Sequence, residues 1–233
     1  MNLIADAFAW MFSENPYAGG SSIPWAVGEH VLYTFLSVLL ASLVAIPIGW
    51  WIGHTGKGKD AVVALSGAGR AIPSFGLLVL LVLVIGVTRK PEAAVLTYAL
   101  LAFAAVLSGA YSGVAAVPRD VVDASRAMGM TEWQILIRTE VPLSMPLLVA
   151  GIRSAVLQVI ATVTIGAYVG LGGLGQYIIA GIPLRRFDMV LGGALLVTAL
   201  ALILDGVFAL AQRGVHPRGL SQSVATTARR REK

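Results

Sequence analysis

A charge-free apolar run from Val31 to Ile52 constrains this chain more than any other feature, because its 22 residues are enough to cross a bilayer. A helix of about 20 apolar residues spans the ~30 Å hydrocarbon core of a membrane. Further apolar stretches follow within residues 61–87, 93–117, 143–171 and 189–211. We therefore predict an all-α polytopic membrane protein with about five transmembrane helices.

The composition agrees with lipid as the main solvent and excludes several kinds of site. Only 12% of the residues are charged and 57% are hydrophobic, whereas soluble domains carry about 25% charged residues. The absence of cysteine excludes disulfides, thiol catalysis and thiolate metal sites. The three histidines lack the spacing of a metal site, and no nucleophile–base pair or pair of carboxylates converges. We therefore expect neither enzymatic activity nor a bound metal.

The positive charges predict which loops lie on which side of the membrane. Of the 17 Lys and Arg residues, 13 lie in the segments 54–70, 118–153 and 212–233, and the other 4 lie in the opposite loops. Because cytoplasmic loops carry the excess of Lys and Arg, we expect the N-terminus outside and the C-terminus in the cytoplasm. The same bias explains the pI of about 9.8 without nucleic-acid binding. The predicted parts are an extracytoplasmic segment (1–30), a transmembrane domain (31–211) and a basic cytoplasmic tail (212–233).

One polar loop, residues 118–142, interrupts the apolar chain and is predicted to be cytoplasmic. The apolar residues that share one helical face of its first half are Val121, Ala124, Ala127 and Met128. Gly129 ends this helix, and Thr131 with Gln134 three residues later predicts a capping box that starts a second helix. A stiff polar helix–turn–helix between spans is suited to contact a protein outside the membrane.

Glycines form two patterns that need interpretation. Residues 53–60 match the first seven positions of a P-loop, but Asp60 stands where Mg²⁺ coordination needs Ser or Thr, and a transmembrane helix precedes them. We expect a basic turn there rather than ATP binding. Small-residue pairs four apart, which let helices approach closely, are Gly49/Gly53, Gly109/Gly113 and Gly166/Gly170. We expect them to pack helices within the chain, with a subunit interface or a moving pathway as the alternative.

Arg153 and Asp205 are charged residues within apolar runs, where a charge costs at least ~2.5 kcal/mol. Both fall toward the cytoplasmic ends of their predicted spans, so each side chain could extend to the headgroup region. The alternative hypothesis is an ion pair between the two residues.

The loop 118–142 resembles the EAA motif, E-A-A-x3-G-x9-I-x-L-P, of the membrane subunits of bacterial ABC importers. Ala124, Gly129 and Pro142 match the motif at its spacing. The residues that replace Glu, Ala, Ile and Leu of the motif are Asp123, Ser125, Thr139 and Val141. The segments that resemble the osmoprotectant branch, whose permeases import glycine betaine, carnitine, choline or proline, are 70–74, 109–113, 153–155 and 171–175.

This resemblance implies a type I ABC importer permease fold in the inner membrane of a prokaryote, and a division of labour among subunits. A separate ATPase would hold ATP and Mg²⁺, so this chain would need no cofactor. An extracytoplasmic solute-binding protein would deliver the solute, and a second permease chain, identical or paralogous, would complete the pathway. The implied ATPase-coupling residues are Asp120, Asp123, Ala124, Ser125, Ala127, Gly129 and Pro142.

Candidates for solute contacts are chosen by position alone. Candidates for the translocation pathway are Pro73, Ser74, Gly166, Tyr168, Gly170 and Gly173. Aromatic candidates on the predicted outer side are Tyr17, Trp25, Tyr168 and Tyr177. A methionine or other amino-acid importer is the alternative within this fold. A secondary transporter is the alternative from another class, although neither a midplane ion site nor an internal repeat is evident.

Overall fold

The structure, a computed structural model, describes residues 2–13 and 20–214 and, within them, every side chain except those of residues 68–70. These described residues form helices and connecting turns, without a β-strand. In chain order the α-helices are α1 (Leu3–Met11), α2 (Ile23–Thr55), α3 (Lys59–Ala71), α4 (Ser74–Ile85), α5 (Lys90–Ala115), α6 (Arg119–Ala127), α7 (Glu132–Ile135), α8 (Val141–Val163), α9 (Gly175–Gly181) and α10 (Phe187–Gly214). A π-turn (Leu136–Glu140) joins α7 to α8, and a 3-10 helix (Thr164–Val169) extends α8.

Four helical segments in the described part of the chain are long and apolar enough to cross a membrane. They contain α2, α5, α8 and α10 and match the first, third, fourth and fifth predicted spans. Within the second predicted span, 61–87, a break separates α3 from the short apolar helix α4. Pro73 causes the break, since proline lacks the helical N–H and disfavours a helical residue before it. The 12 residues of α4 reach only about 18 Å.

Three helices, α2, α5 and α8, form the core of the molecule through backbone contacts at glycines. A Cβ added to Gly49 of α2 would lie 2.6 Å from Ala110 Cβ of α5, and one added to Gly109 would lie 2.7 Å from Gly151 Cα of α8. Such separations do not occur between real side chains, so glycine is required where these helices meet. The first two predicted glycine pairs therefore pack helices within the chain.

The third predicted pair has a different role, because neither residue lies in an α-helix. Gly166 lies in the 3-10 helix and packs against the hydroxyl of Tyr98. Gly170 ends that helix in the left-handed region, with a φ of 72°.

The N-terminal helix α1 packs onto α9 and α10. Trp10 is buried, and its ring meets that of Tyr177 edge-on at a centroid distance of 5.1 Å. A Cβ on Gly192 of α10 would collide with Trp10, so the absence of a side chain at Gly192 makes room for this indole. The N-terminal helix α1 is therefore packed against the bundle.

Gly109→Val tests the packing of α5 on α8. The added side chain would push the two backbones apart, and overpacking of this kind costs about 1–3 kcal/mol. We expect a lower melting temperature for the purified protein in detergent. Gly206→Val is the matched control, because no atom lies within 4 Å of a Cβ at that position of α10. Equal losses in the two variants would contradict the assignment.

Candidate functional site

The first helix of the polar loop, α6, packs one face against the rest of the chain. Val122 and Ser125 are buried on this face. The Ser125 hydroxyl donates to the backbone oxygen of Val121 at 2.9 Å and lies 3.3 Å from Thr139 Oγ1. Ser125 therefore fixes α6 against the turn before α8, and its side chain does not point away from the chain.

The opposite face of α6 is uncovered in the described chain. Its exposed residues are Asp120, Asp123, Ala124, Ala127 and Met128. Of the apolar face predicted from the sequence, only Val121 is partly buried. Two alanines allow another protein to approach closely, and the Asp120 carboxylate lies in the first turn of the helix, where negative charge is favourable. This face is therefore suited to docking rather than to core packing.

Gly129 makes the turn after α6 possible. Its φ is 82°, and nothing lies within 4 Å of a Cβ added there. The residue is therefore required for its left-handed backbone and not for space. The amide N–H of Met130 donates to the oxygen of Ser125 at 3.3 Å and closes the helix end.

The predicted capping box starts the second helix as expected. Thr131 N–H donates to Gln134 Oε1 at 2.9 Å, and Gln134 N–H donates to Thr131 Oγ1 at 3.3 Å. The π-turn then leads into α8 immediately before Pro142. A proline cannot donate to the carbonyl four residues earlier and crowds it, so the wider π-turn fits this position.

A chain of polar side-chain contacts joins α6 to the end of α2. The Arg126 guanidinium donates to both oxygens of Glu132 at 2.7 and 3.0 Å, and also to Asp123 Oδ1 at 3.0 Å. Glu132 Oε2 lies 3.4 Å from His54 Nε2. His54 Nδ1 in turn lies 2.6 Å from Glu140 Oε2. Four segments of the chain thus converge on one network.

The inner pair of this network, His54 and Glu140, contributes most of its stabilisation. Only 3% of the Glu140 side chain and 11% of the His54 side chain are exposed, so loss of either partner leaves a buried group unsatisfied. Arg126 and Glu132 are half exposed, and such ion pairs contribute little. Hydrogen bonding to Glu132 raises the pKa of Arg126. The outer pairs therefore orient α6, while the inner pair attaches the loop to α2.

Sequence reasoning missed both His54 and Glu140. His54 stands within the P-loop-like residues 53–60, which form the end of α2, a turn and the start of α3. Helices on both sides of the turn rule out the strand–loop–helix arrangement of a P-loop. A usable signal existed at Glu140, because Leu136, Leu143 and Leu147 share one helical face with it, at four residues before and three and seven residues after. An acid on such a face needs a partner.

The translocation candidates lie along one connected region. Pro73 and Ser74 begin α4, and the next residue, Phe75, meets the ring of Tyr168 at a centroid distance of 5.3 Å. The carbonyl of Gly170 accepts from Lys90 Nζ at 2.6 Å. The remaining two candidates are Gly166, packed on Tyr98, and Gly173, whose N–H donates to Glu29. The structure therefore brings these positions into one region of the molecule.

The aromatic candidates do not form one cage. Trp25 and Tyr168 are exposed by 65% and 59%. Tyr177 is fully buried, with its hydroxyl bonded to the backbone oxygen of Ser21 at 2.8 Å. It is therefore a core residue, and its assignment as a solute-facing aromatic is wrong. Tyr17 lies outside the described residues.

Arg153 and Asp205 form an ion pair between α8 and α10. Two parallel hydrogen bonds of 2.6 and 2.7 Å connect the guanidinium to the carboxylate. About a third of each side chain is exposed. The hypothesis of a pair is therefore correct, and each charge within an apolar run has its partner.

Comparison with known proteins agrees with the EAA-like motif. The family of binding-protein-dependent transport system inner membrane components matches residues 45–218. The chain belongs to this family. It is therefore a multi-pass protein of the prokaryotic inner membrane and a transport permease.

Relatives with curated names are permeases of osmolyte importers. The chain is 33% identical over 202 residues to the glycine betaine/carnitine/choline transport system permease protein OpuCB of Bacillus subtilis, covering 86% of this chain and 92% of the relative. It is 32% identical over 219 residues to the carnitine transport permease protein OpuCB of Listeria monocytogenes, covering 94% and 97%. The choline transport system permease protein OpuBB of Bacillus subtilis is 30% identical over 204 residues, covering 87% and 93%.

Solved structures show the same fold. An inward-facing structure of the MetNI methionine ABC transporter matches with a TM-score of 0.73 and 24% identity, covering 82% of this chain and 94% of that one. The predicted all-α ABC importer permease fold is thus confirmed. The assignment of the two membrane sides continues to rest on the distribution of basic residues.

His54→Ala tests the attachment of the loop to α2. It leaves the buried Glu140 carboxylate without its partner, and we expect a destabilisation of about 1–3 kcal/mol, measured by thermal unfolding in detergent. Adding Glu140→Gln should recover part of the loss, because an uncharged amide is less costly to bury. Arg138→Ala, at an exposed position of the same π-turn, is the control. A His54→Ala variant as stable as the wild type would contradict this role.

Proposed function

We propose that this chain is the membrane subunit of an ABC importer for small zwitterionic or quaternary-ammonium osmolytes, and that α6 is its docking element for the ATPase. The chain itself would carry out no ATP chemistry and hold no cofactor. ATP and Mg²⁺ would be bound by the ATPase subunit. An extracytoplasmic solute-binding protein would supply the solute.

The docking role of α6 is supported by two features together: one face of the helix is uncovered, and its other contacts hold it rigidly. Ala124 and Ala127 are exposed on a helix that Ser125 holds from behind, and Gly129 and the capping box fix its exit. A helix held in this way would move as a rigid unit with a bound ATPase. Through Glu132 and His54, movement of α6 would reach α2, and through the π-turn it would reach α8.

The solute class is proposed from the relatives. Their names specify glycine betaine, carnitine and choline, and this chain aligns with most of their length. The methionine transporter is similar in fold only, so it does not favour methionine here. Methionine is therefore kept as a competing substrate in the uptake experiment.

We further propose that two permease chains form the complete pathway. The long apolar helix α10 presents a largely uncovered surface, as do Leu80, Leu83 and Val84 of α4. Lipid or a second permease must cover these surfaces in the membrane. The second chain could be an identical copy or a paralogue, and purification of the complex distinguishes the two.

Ala127→Trp tests the docking face. The bulky side chain would prevent close approach without altering the buried face of α6, so we expect loss of ATPase co-purification with normal yield of the permease. Ala61→Trp is the matched control, because Ala61 is an exposed alanine of α3 on the same predicted side of the membrane. Normal ATPase binding by Ala127→Trp would exclude α6 as the docking element.

Uptake by the reconstituted complex tests the solute class. Proteoliposomes would contain this permease with its ATPase and its solute-binding protein, and would receive labelled glycine betaine, carnitine, choline or methionine. We expect ATP-dependent uptake of at least one quaternary-ammonium solute and none of methionine. Import of methionine alone would overturn the proposed solute class but not the docking role.

A further inference from the structure

A cavity of about 440 Å³ lies beside the glycine-rich segment, at the opposite end of α2 from His54. The residues that line the cavity include Glu29, Gly170, Leu171, Gly172, Gln176 and Ile179. Its volume lies within the ~300–1,000 Å³ typical of small-molecule sites. The distribution of basic residues assigns this end of the molecule to the outside.

Glu29 is the one ionisable residue in the lining of this cavity. Its Oε2 accepts the N–H of Gly173 at 3.0 Å. Within the described chain, no Lys, Arg or His nitrogen lies close enough to form an ion pair with it, that is, within 4.0 Å. A carboxylate near the end of an apolar helix that lacks a cationic partner offers a favourable position for a cation from outside the chain.

The surroundings hold this carboxylate in place. Gly172 and Gly173 have φ values of 77° and 68°, and a Cβ on Gly172 would collide with the Glu29 carboxylate. The fully buried His30, next in the chain, accepts the N–H of Leu174 at 3.3 Å through Nδ1 and bonds the carbonyl of Ile160 at 3.0 Å through Nε2. Glu29 is therefore presented by a fixed loop rather than by a freely moving side chain.

Two groups that can bind an anion lie near the same loop. Gln176 Nε2 is enclosed and has no hydrogen-bond partner in the structure, although Gln176 Oε1 accepts the N–H of Ser21 at 3.3 Å. Lys90 Nζ holds the carbonyl of Gly170 at 2.6 Å, so its charge lies at the edge of the segment. An unsatisfied enclosed donor calls for an acceptor, and a rotation of the Gln176 amide toward the cavity would let it donate to the carboxylate of a zwitterion.

We propose that this cavity is a solute site of the permease, in which Glu29 binds the cationic group of a small organic cation or zwitterion and the Gln176 amide donates to its carboxylate or hydroxyl. The proposal rests on the proposed function for the identity of the solute. It adds a residue-level basis for selecting positive charge within the permease, distinct from any selection by the solute-binding protein.

The natural absence of cysteine permits a direct chemical test. Ala180→Cys places a single thiol in the cavity lining. The reconstituted complex is then treated with trimethylammonium-ethyl methanethiosulfonate or with its sulfonate analogue. We expect the thiol to react faster with the cationic reagent than with the anionic one. Glu29→Gln should reduce the ratio of the two rates about five- to tenfold, as expected for loss of one unit charge nearby. Glycine betaine should slow the reaction with the cationic reagent.

Glu29→Gln keeps a carbonyl oxygen for the Gly173 N–H and removes only the charge. Glu92→Gln is the matched control, because Glu92 is an exposed acid in the first turn of α5, outside the cavity lining. A reagent ratio that Glu29→Gln leaves unchanged would overturn the site. This outcome does not depend on which solute the importer carries.

Uptake measurements separate this proposal from the proposed function. With saturating loaded solute-binding protein, Glu29→Gln should slow glycine betaine uptake about tenfold, whereas the control Glu92→Gln should keep the wild-type rate. Gln176→Leu should slow glycine betaine more than choline, because the neutral hydroxyl of choline is a weaker acceptor than a carboxylate. Wild-type rates in Glu29→Gln would overturn the site alone, whereas a wild type that imports no quaternary-ammonium solute would overturn the proposed function.

Discussion

Close contact between helix backbones is the constraint on which the rest of this structure depends. Glycines let α2 approach α5, and others let α5 approach α8, to distances at which a Cβ added to these glycines would clash. Helices in lipid gain no hydrophobic free energy from associating, so this close packing supplies much of the attraction that holds them together. The three helices therefore contact one another along the core of the molecule.

The helix α2 carries a polar cluster near each end. Glu29 and His30 bind the backbone of the glycine-rich segment, and His54 binds the two acids of the polar loop. Glu29 and His54 are 25 residues apart, which is about 37 Å along a helix. The cluster at Glu29 and His30 binds residues that follow α8, and the cluster at His54 binds residues that precede α8. The architecture thus connects the face suited to an ATPase with the cavity suited to a solute.

The polar loop could be predicted in detail because its signals are local. The end of α6 at Gly129 follows from the backbone freedom of glycine, and the capping box follows from Thr131 and Gln134 alone. The break between α3 and α4 also follows from local residues, because Arg70 and Pro73 precede the apolar run that begins at Phe75. The burial of Tyr177 could not be predicted, because it depends on Trp10, which lies far away in the chain.

By itself, the sequence determined the membrane environment, the helical class, the position of the polar loop and the family resemblance, since apolar length, charge bias and motif spacing are properties of short segments. Only the tertiary structure decided the partners of the charged residues. The bond between His54 and Glu140 spans 86 positions, and that between Glu29 and Gly173 spans 144. Pairings at such separations depend on how the helices pack, and the packing in turn depends on which glycines face each other across the bundle.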